Sequence, residues 1–576
     1  MALGRRRRRS GDHRPGRPAQ HRGDRTLTRR DIESRSGERK VVQSMDPVID
    51  TDVVVIGAGP IGLAAANLLA DYGVRVLLVE KNLSTSDEPR AISVTDETLR
   101  VMQQIGIMDR LGPEMLMNTG ARYFGRKGQL LAEVRPANSQ LGHPGKSQFD
   151  QPVMESLLLD AARGRDSVEV RFETEAFSVK DHGTHVETTV LGPNGKATVR
   201  SAWLIACDGG RSPIRTQLGI AMEGSTQVEK WIVIDVINTN AREKFAEFYC
   251  NGVRPSVVVP GVKGRCRFEF MLLPGETAEQ MTTPSSVAAL VAPYLSQPVR
   301  PEDIRRASVY VAHQRVALQY QHGRILLAGD AAHMMPPFAG QGLNAGIRDA
   351  ANLAWKVASS VHGAGTDELV STYQTERRPH AADMVKLSHR IGQIVMSTDR
   401  KVTFLRDLII TAAGAVPSVQ SWIASMKFLK RPRFTEGCIV PPATGLPTAV
   451  ADIVGSALPQ PTVRSSDGSA VPLDEVMGRG WCSLGFGGAS SAIEVTPLGG
   501  AASSRVVVHD DTGIFKELVR DRYTVLVRPD RYVAAVVQAG REDEVFTTLD
   551  GLVPSLRPIW QSNHQAPLTA SASNRK

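Results

Sequence analysis

The residues best suited to chemistry stand at separated points along the chain. Gly57-Ala58-Gly59-Pro60-Ile61-Gly62 has the spacing of a turn that grips a pyrophosphate. Gly57 allows the tight turn, Gly59 lets a phosphate approach the backbone, and Gly62 lets helix and strand pack closely. Glu80, with Lys81 beside it, stands where an acid can accept hydrogen bonds from a ribose diol. Farther on come Cys207-Asp208-Gly209-Gly210 and Gly329-Asp330-Ala331-Ala332-His333, each following an apolar run, and then Gly340-Gln341-Gly342-Leu343-Asn344. The first turn and its acid point to a dinucleotide without choosing between NAD and FAD. The competing reading is a glycine-rich turn in an unrelated α/β protein.

These residues need strand ends and helix starts to hold them. Val53–Ile56 is apolar and β-branched, which predicts a buried parallel strand. A helix runs from the glycine turn to about Tyr72, Gly73 stops it, and Arg75–Val79 is a second strand ending at Glu80. The helix offers its free N–H groups and positive dipole end to the pyrophosphate. Trp203–Ala206 and Arg324–Ala328 read as further buried strands, and residues 343–361 as a helix with Ile347, Ala350, Ala354 and Val357 on one face. Asn194-Gly195 predicts a hairpin turn. Residues 228–320 alternate strand-like pieces, which suits an antiparallel sheet covering a ligand. Helical stretches are expected around 376–396 and 404–429, followed by a linker after Cys438 and a small α/β domain.

At 576 residues the chain exceeds one core, so two or three domains are expected. Residues 1–44 hold 14 Lys/Arg and 5 Asp/Glu, so this tail alone carries the formal charge of +9 and the rest of the chain is neutral. The tail is expected to be disordered. It could be a nucleic-acid arm or a transit peptide, but the favoured reading is a start that precedes the folded chain at Met45. Five cysteines are scattered without CxxC spacing, so neither a disulfide framework nor a metal site is read, and a reducing cytoplasm is the default. No apolar run has the length of a membrane span.

Taken in order, the glycine turn with Glu80, the Cys207-Asp208-Gly209 element and the Gly329-Asp330 element resemble the single-component FAD-dependent aromatic hydroxylases. Trp231-Ile232-Val233-Ile234-Asp235, Phe268-Glu269-Phe270-Met271 and Arg528-Pro529-Asp530-Arg531 are similar to the 3-(3-hydroxyphenyl)propionate hydroxylase branch. The resemblance implies a Rossmann-like FAD-binding domain interleaved with an antiparallel substrate domain over residues 45–400, the substrate sheet lying mainly at 220–320. A helical linker at 401–440 and a thioredoxin-like domain at 441–570, lacking the redox CxxC, would follow.

The resemblance also implies cofactor contacts from Gly57, Gly59, Pro60, Gly62, Glu80, Lys81, Arg90, Gln151, Asp208, Gly209, Gly329, Asp330, Gly340, Gly342, Leu343 and Asn344. Asp330 would bond the ribityl chain of FAD, and the helix near Leu343 would aim its N-terminus at the flavin pyrimidine. NADH or NADPH, having no Rossmann site of its own, would reduce the flavin, and O₂ would then form a C4a-hydroperoxide that attacks a phenol-activated ring. A base or proton relay is required, with His313 and the Pro337 carbonyl as candidates. His333 is expected to pack rather than react. The implied partners are a phenolic substrate and O₂, with no nucleic acid and no membrane, and homodimer formation left open. The pair Pro337-Phe338 departs from the branch on the substrate side. A larger polycyclic substrate therefore stands as the alternative, and a non-hydroxylating flavoprotein of the same fold as a further one. A carboxylate substrate would want a buried cation, for which Arg267 and Arg315 are conceivable.

Overall fold

Three sheets organise the chain in a computed structural model that describes residues 48–135, 139–240, 243–425, 429, 431–465, 467–486, 491–498, 505–520 and 523–565. The expected tail at 1–44 lies outside these residues. In the first sheet, Val48–Ile56 runs parallel between Gly195–Ala206 and Val76–Val79. Val168–Arg171 and Ile325–Leu327 extend it in parallel on the two sides. The β-branched run explains this placement: Val53, Val54 and Val55 are fully buried, as strands covered on both faces must be. Helices Pro60–Asp71 and Gly342–Val361 pack against each other in the same core.

Register brings the sequence motifs together. Ile56 pairs with both Val79 and Ala206, and Ala206 pairs with Leu327. Each partner is the last residue of its strand, so the segments after Ile56, Val79, Ala206 and Leu327 all leave the sheet at one carboxyl edge. That is where open α/β sheets bind ligands.

The second sheet is eight-stranded, in the order His333–Met334, Ile304–Ala317, Met222–Val236, Cys266–Met271, Ser256–Pro260, Phe245–Tyr249, Gly120–Phe124, Leu130–Val134. It is antiparallel except where Phe245–Tyr249 meets Gly120–Phe124. The two strands from 120–134 lie outside the 220–320 stretch in which this sheet was mainly expected. Period-two alternation sorts its side chains. Ile232, Ile234, Phe268 and Phe270 pack on helix Pro284–Val291 on one face, while Trp231, Val257, Val259 and Met271 belong to a separate cluster on the other.

After the long helix Asp367–Val395 the chain forms Arg400–Gly414 and Pro417–Ala424. The sequence suggested one helix there, but the chain bends by 109° between the two. Pro417 explains the break, because it cannot continue a helix and opens the next one. No single helix among the described residues is long and apolar enough to cross a membrane.

The third sheet has seven strands between residues 462 and 538 with its own core. The expected α/β composition is present there. Every pairing among its described residues is antiparallel, with no run of parallel strands to carry a thioredoxin likeness. A fully buried charge cluster ties this part to the helices. Arg528 forks onto both oxygens of Glu376 at 2.8 Å, Lys356 Nζ reaches Glu376 Oε2 at 2.7 Å, and Arg528 also pairs with Asp530. The motif Arg528–Arg531 quoted from sequence thus meets Glu376 of the long helix in one joint.

Candidate active site

A cavity of about 520 Å³ opens between the carboxyl edge of the first sheet and the second sheet. This is a size suited to a small-molecule site. Alternate residues of neighbouring strands form one wall: Ala132 and Val134, Ala121 and Tyr123, Ala246 and Phe248, Val257 and Val259, Arg267 and Glu269. The glycine turn, the Gly329-Asp330 element and the loop 335–343 form the other. Ile410 and Ile423 of the bent helix pair close part of the rim.

Ten of the residues named from sequence for cofactor or proton chemistry line this space: Gly59, Pro60, Arg90, Gln151, Gly209, Asp330, Pro337, Gly340, Gly342 and Leu343. Gly59 has ordinary extended backbone, and a Cβ built on it would meet nothing within 4 Å. The fold does not require glycine there; the open space in front of it does. Gly209, at φ +81°, is equally open. Gly57 and Gly62 serve packing. A Cβ on Gly62 would strike the Gly57 carbonyl, and Gly57 sits at φ +101° with its own Cβ position 2.5 Å from the Cys207 carbonyl oxygen.

Several of the candidates also make contacts that shape the wall. Glu80 Oε2 accepts a hydrogen bond from Ala58 N–H at 2.9 Å, which fixes the glycine turn. Lys81 is exposed and does not line the cavity. Gln151 accepts from Ala91 N–H at 2.6 Å and so holds the segment that carries Arg90. Asn344 accepts from Thr98 Oγ1 at 2.6 Å and donates to the Gly340 carbonyl at 2.6 Å, which locks the start of the long helix. Gly329, at φ +60°, packs its Cα face on Ile61. Asp208 accepts from Ile214 N–H at 3.2 Å, while its buried Oδ1 has no partner. Burial pushes its carboxyl up. Asp330 is exposed to the cavity, and the desolvation there raises its pKa despite the nearby His333 and Arg90 charges.

FAD fits this arrangement on the structure's own terms. The cavity presents an open glycine cradle, a carboxyl at Asp330 and the uncapped N-terminus of helix Gly342–Val361, and behind its wall Asp208 keeps a buried acceptor oxygen without a donor. Such a terminus attracts anionic groups.

The candidates for proton chemistry separate. Pro337 lines the cavity, and its carbonyl accepts from Gly340 N–H at 2.8 Å. His313 does not line it; its Nδ1 lies 2.9 Å from Thr226 Oγ1, and burial with the Arg315 and Arg211 charges lowers its pKa. His333 is fully buried with Nε2 2.6 Å from Asp349 Oδ2, and Asp349 in turn pairs with Arg377 at 3.0 Å. The sequence reading did not single out Glu269 for chemistry. Its carboxyl lines the cavity and accepts from Tyr310 O–H at 2.8 Å. Burial raises its pKa, against the lowering effect of Arg267 and Tyr310. The available signal was an acid alternating with apolar residues in Phe268-Glu269-Phe270-Met271. Arg267 is committed elsewhere: it bonds Asp235 at 2.7 and 3.1 Å and the backbone carbonyls of Pro89 and Arg90. Arg315 does not line the cavity and donates to Thr226 Oγ1 at 2.9 Å.

Comparison with known proteins agrees with this geometry. Residues 50–388 match the FAD binding domain family model, and residues 455–552 match the HcaD C-terminal domain. A 3-(3-hydroxy-phenyl)propionate/3-hydroxycinnamic acid hydroxylase from Mycolicibacterium smegmatis is 36% identical, over 87% of this chain and 93% of its own. A second enzyme of that description from Burkholderia vietnamiensis is 38% identical over 76% of this chain and 79% of its own. Among solved structures, the flavin-dependent monooxygenase PieE, crystallised with FAD and substrate, superposes with a TM-score of 0.73 at 22% identity, covering 88% of this chain and all of that one. Aklavinone-11 hydroxylase superposes at 0.68 with 23% identity, covering 89% of this chain and 99% of that one. The glycine cradle, the strand-end acids and these relatives together establish that the chain belongs to the FAD-dependent aromatic hydroxylases, in the family of the 3-(3-hydroxy-phenyl)propionate/3-hydroxycinnamic acid hydroxylases.

Proposed function

We propose that the protein hydroxylates the phenolic ring of a 3-hydroxyphenylpropanoid-type acid, with NADH or NADPH as electron donor and O₂ as oxidant. The observation that carries this reading is the single cavity with FAD-holding groups on one wall and an apolar wall bearing one carboxyl, Glu269, on the other. FAD, when bound, supplies the activation of O₂ and its transfer to the ring. Gly59, Asp330 and the N–H groups at Gly342-Leu343 hold its phosphate, ribityl and pyrimidine parts. Glu80 holds the turn and the adenosine ribose, and Arg90 and Gln151 steady the segment alongside.

Glu269 takes the phenol proton. Its second carboxylate oxygen receives no hydrogen bond among the described residues, and Tyr310 holds the first. A raised pKa makes it a stronger acceptor than an ordinary carboxylate, which suits a base acting on a phenol. Deprotonation enriches the ring at its ortho and para carbons. Val134, Val257, Val259 and Phe248 exclude water, which limits wasteful release of hydrogen peroxide.

Purified holoenzyme given NADH, O₂ and a panel of phenols tests this. The expected result is NADH consumption stimulated by 3-(3-hydroxyphenyl)propionate or 3-hydroxycinnamate with a dihydroxylated product. Turnover of polycyclic phenols alone would refute the substrate assignment.

A further inference from the structure

The cavity is lined by three cations, Arg90, Lys146 and Arg267. Arg267 is saturated by Asp235 and by the carbonyls of Pro89 and Arg90. The charge of Arg90 acts on Asp330 and Glu155, on the cofactor side. Lys146 differs from both. No ion pair or side-chain hydrogen bond engages its ammonium among the described residues, and no charged group bears on it; burial alone draws its pKa down to about 8. Lys146 and Glu269 both line the cavity and form no ion pair with each other among the described residues.

The backbone fixes Lys146 firmly. It pairs with Thr95 in the two-stranded ribbon Ser93–Thr95/Lys146–Gln148, and its carbonyl accepts from Thr119 N–H at 3.0 Å. On the same ribbon, Ser93 lines the cavity and lies against Gly340. The ribbon therefore presents Lys146 to the cavity beside the loop that borders the cofactor wall. An ammonium without a counter-charge in apolar surroundings is costly, and an anionic ligand relieves that cost.

We infer that Lys146 is the residue that receives the carboxylate of the aromatic acid, so that it selects acids over neutral phenols. This rests on the phenolic-acid reading above. The side chain of such a substrate carries its carboxylate beyond the ring. Lys146 then anchors one end of the molecule while Glu269 meets the phenolic hydroxyl at the other. Lys146 takes no part in oxygen transfer; it is a specificity and positioning residue.

The test uses FAD-loaded wild type, Lys146→Met and Lys146→Arg, with binding read from the perturbation of the flavin spectrum. The probes are 3-(3-hydroxyphenyl)propionate and 3-ethylphenol, which lacks the carboxylate. Loss of a charge-assisted contact should weaken propionate binding to K146M about tenfold or more, leave 3-ethylphenol within about twofold, and be largely restored in K146R. FAD content should not change. Equal propionate affinity in K146M and wild type overturns the assignment of Lys146 alone, as does an equal loss for both probes. A wild type that binds 3-ethylphenol but no phenolic acid overturns the acid reading, and this inference with it.

Discussion

Two alanine substitutions three residues apart should fail in opposite ways. Gly59 has φ −74° and ψ 179°, a conformation open to any L-residue, and an added methyl would touch no protein atom within 4 Å. Gly59→Ala should therefore leave the apoprotein within about 0.5 kcal/mol of wild type. The methyl would occupy the space through which the pyrophosphate approaches the turn, so FAD affinity should fall about tenfold or more, which is about 1.4 kcal/mol. Gly62 is the reverse case. Its methyl would strike the Gly57 carbonyl and lie 3.4 Å from Cys207 Cβ, so helix and strand must part. Overpacking of this kind costs about 1–3 kcal/mol, partly offset by about 1 kcal/mol of helix propensity. The Gly62→Ala apoprotein should melt several degrees lower. Thermal melts of the apoproteins and titration with FAD, followed by quenching of flavin fluorescence, separate the two. A Gly59→Ala protein that binds FAD as wild type does, or melts as low as Gly62→Ala, would refute the assignment of that open space to the cofactor.

Three further outcomes follow from the geometry. Glu269→Gln should cut turnover by about 10²-fold or more with FAD content unchanged. Because the base must be ionised, wild-type turnover should fall as pH drops through a pKa above the ordinary carboxylate range, and the variant should lose that acid limb; a variant that keeps both rate and limb would return the base role to another group. Glu376→Ala would strand Lys356 in the interior and leave Arg528 with Asp530 alone, and should cost about 3–5 kcal/mol, read as a lower denaturant midpoint, whereas an unchanged midpoint would show that the joint contributes nothing. Burial alone would raise the pKa of Glu376, but the Arg528 and Lys356 charges outweigh it and hold it at about 2. Its contribution is thus fully present above the unfolded carboxylate value and lost as pH falls towards about 2; acid titration of stability should show this loss in wild type and not in the variant.

The first sheet was legible because a parallel strand buried on both faces is a continuous apolar run, and Val53–Ile56, Trp203–Ala206 and Ile325–Leu327 all have that character. Their motifs also sit at strand ends, where register gathers them without any knowledge of side-chain packing. The second sheet was only partly legible. Gly120–Phe124 and Leu130–Val134 join it from a hundred residues away, and no local pattern announces a parallel pairing with Phe245–Tyr249. The same limit hid the chemistry of the substrate wall. His313 drew attention by residue type, but its place on the long strand Ile304–Ala317 faces Thr226 and not the cavity. Glu269 gained its environment from Arg267, two residues earlier on the same strand, and from Tyr310, which only strand pairing brings near. Lys146 left no signal in sequence, since a lysine before Ser147 and Gln148 reads as an ordinary surface residue until the ribbon turns it inward.

The most direct measurement combines the spectrum of the purified protein with the fate of oxygen. The protein should be yellow with bound FAD, oxidise NADH or NADPH faster when 3-(3-hydroxyphenyl)propionate is present, and place an oxygen atom from isotopically labelled O₂ in the ring of the product. A colourless protein that takes up no FAD, or one that consumes reductant with every phenol yet yields only hydrogen peroxide, would contradict this account.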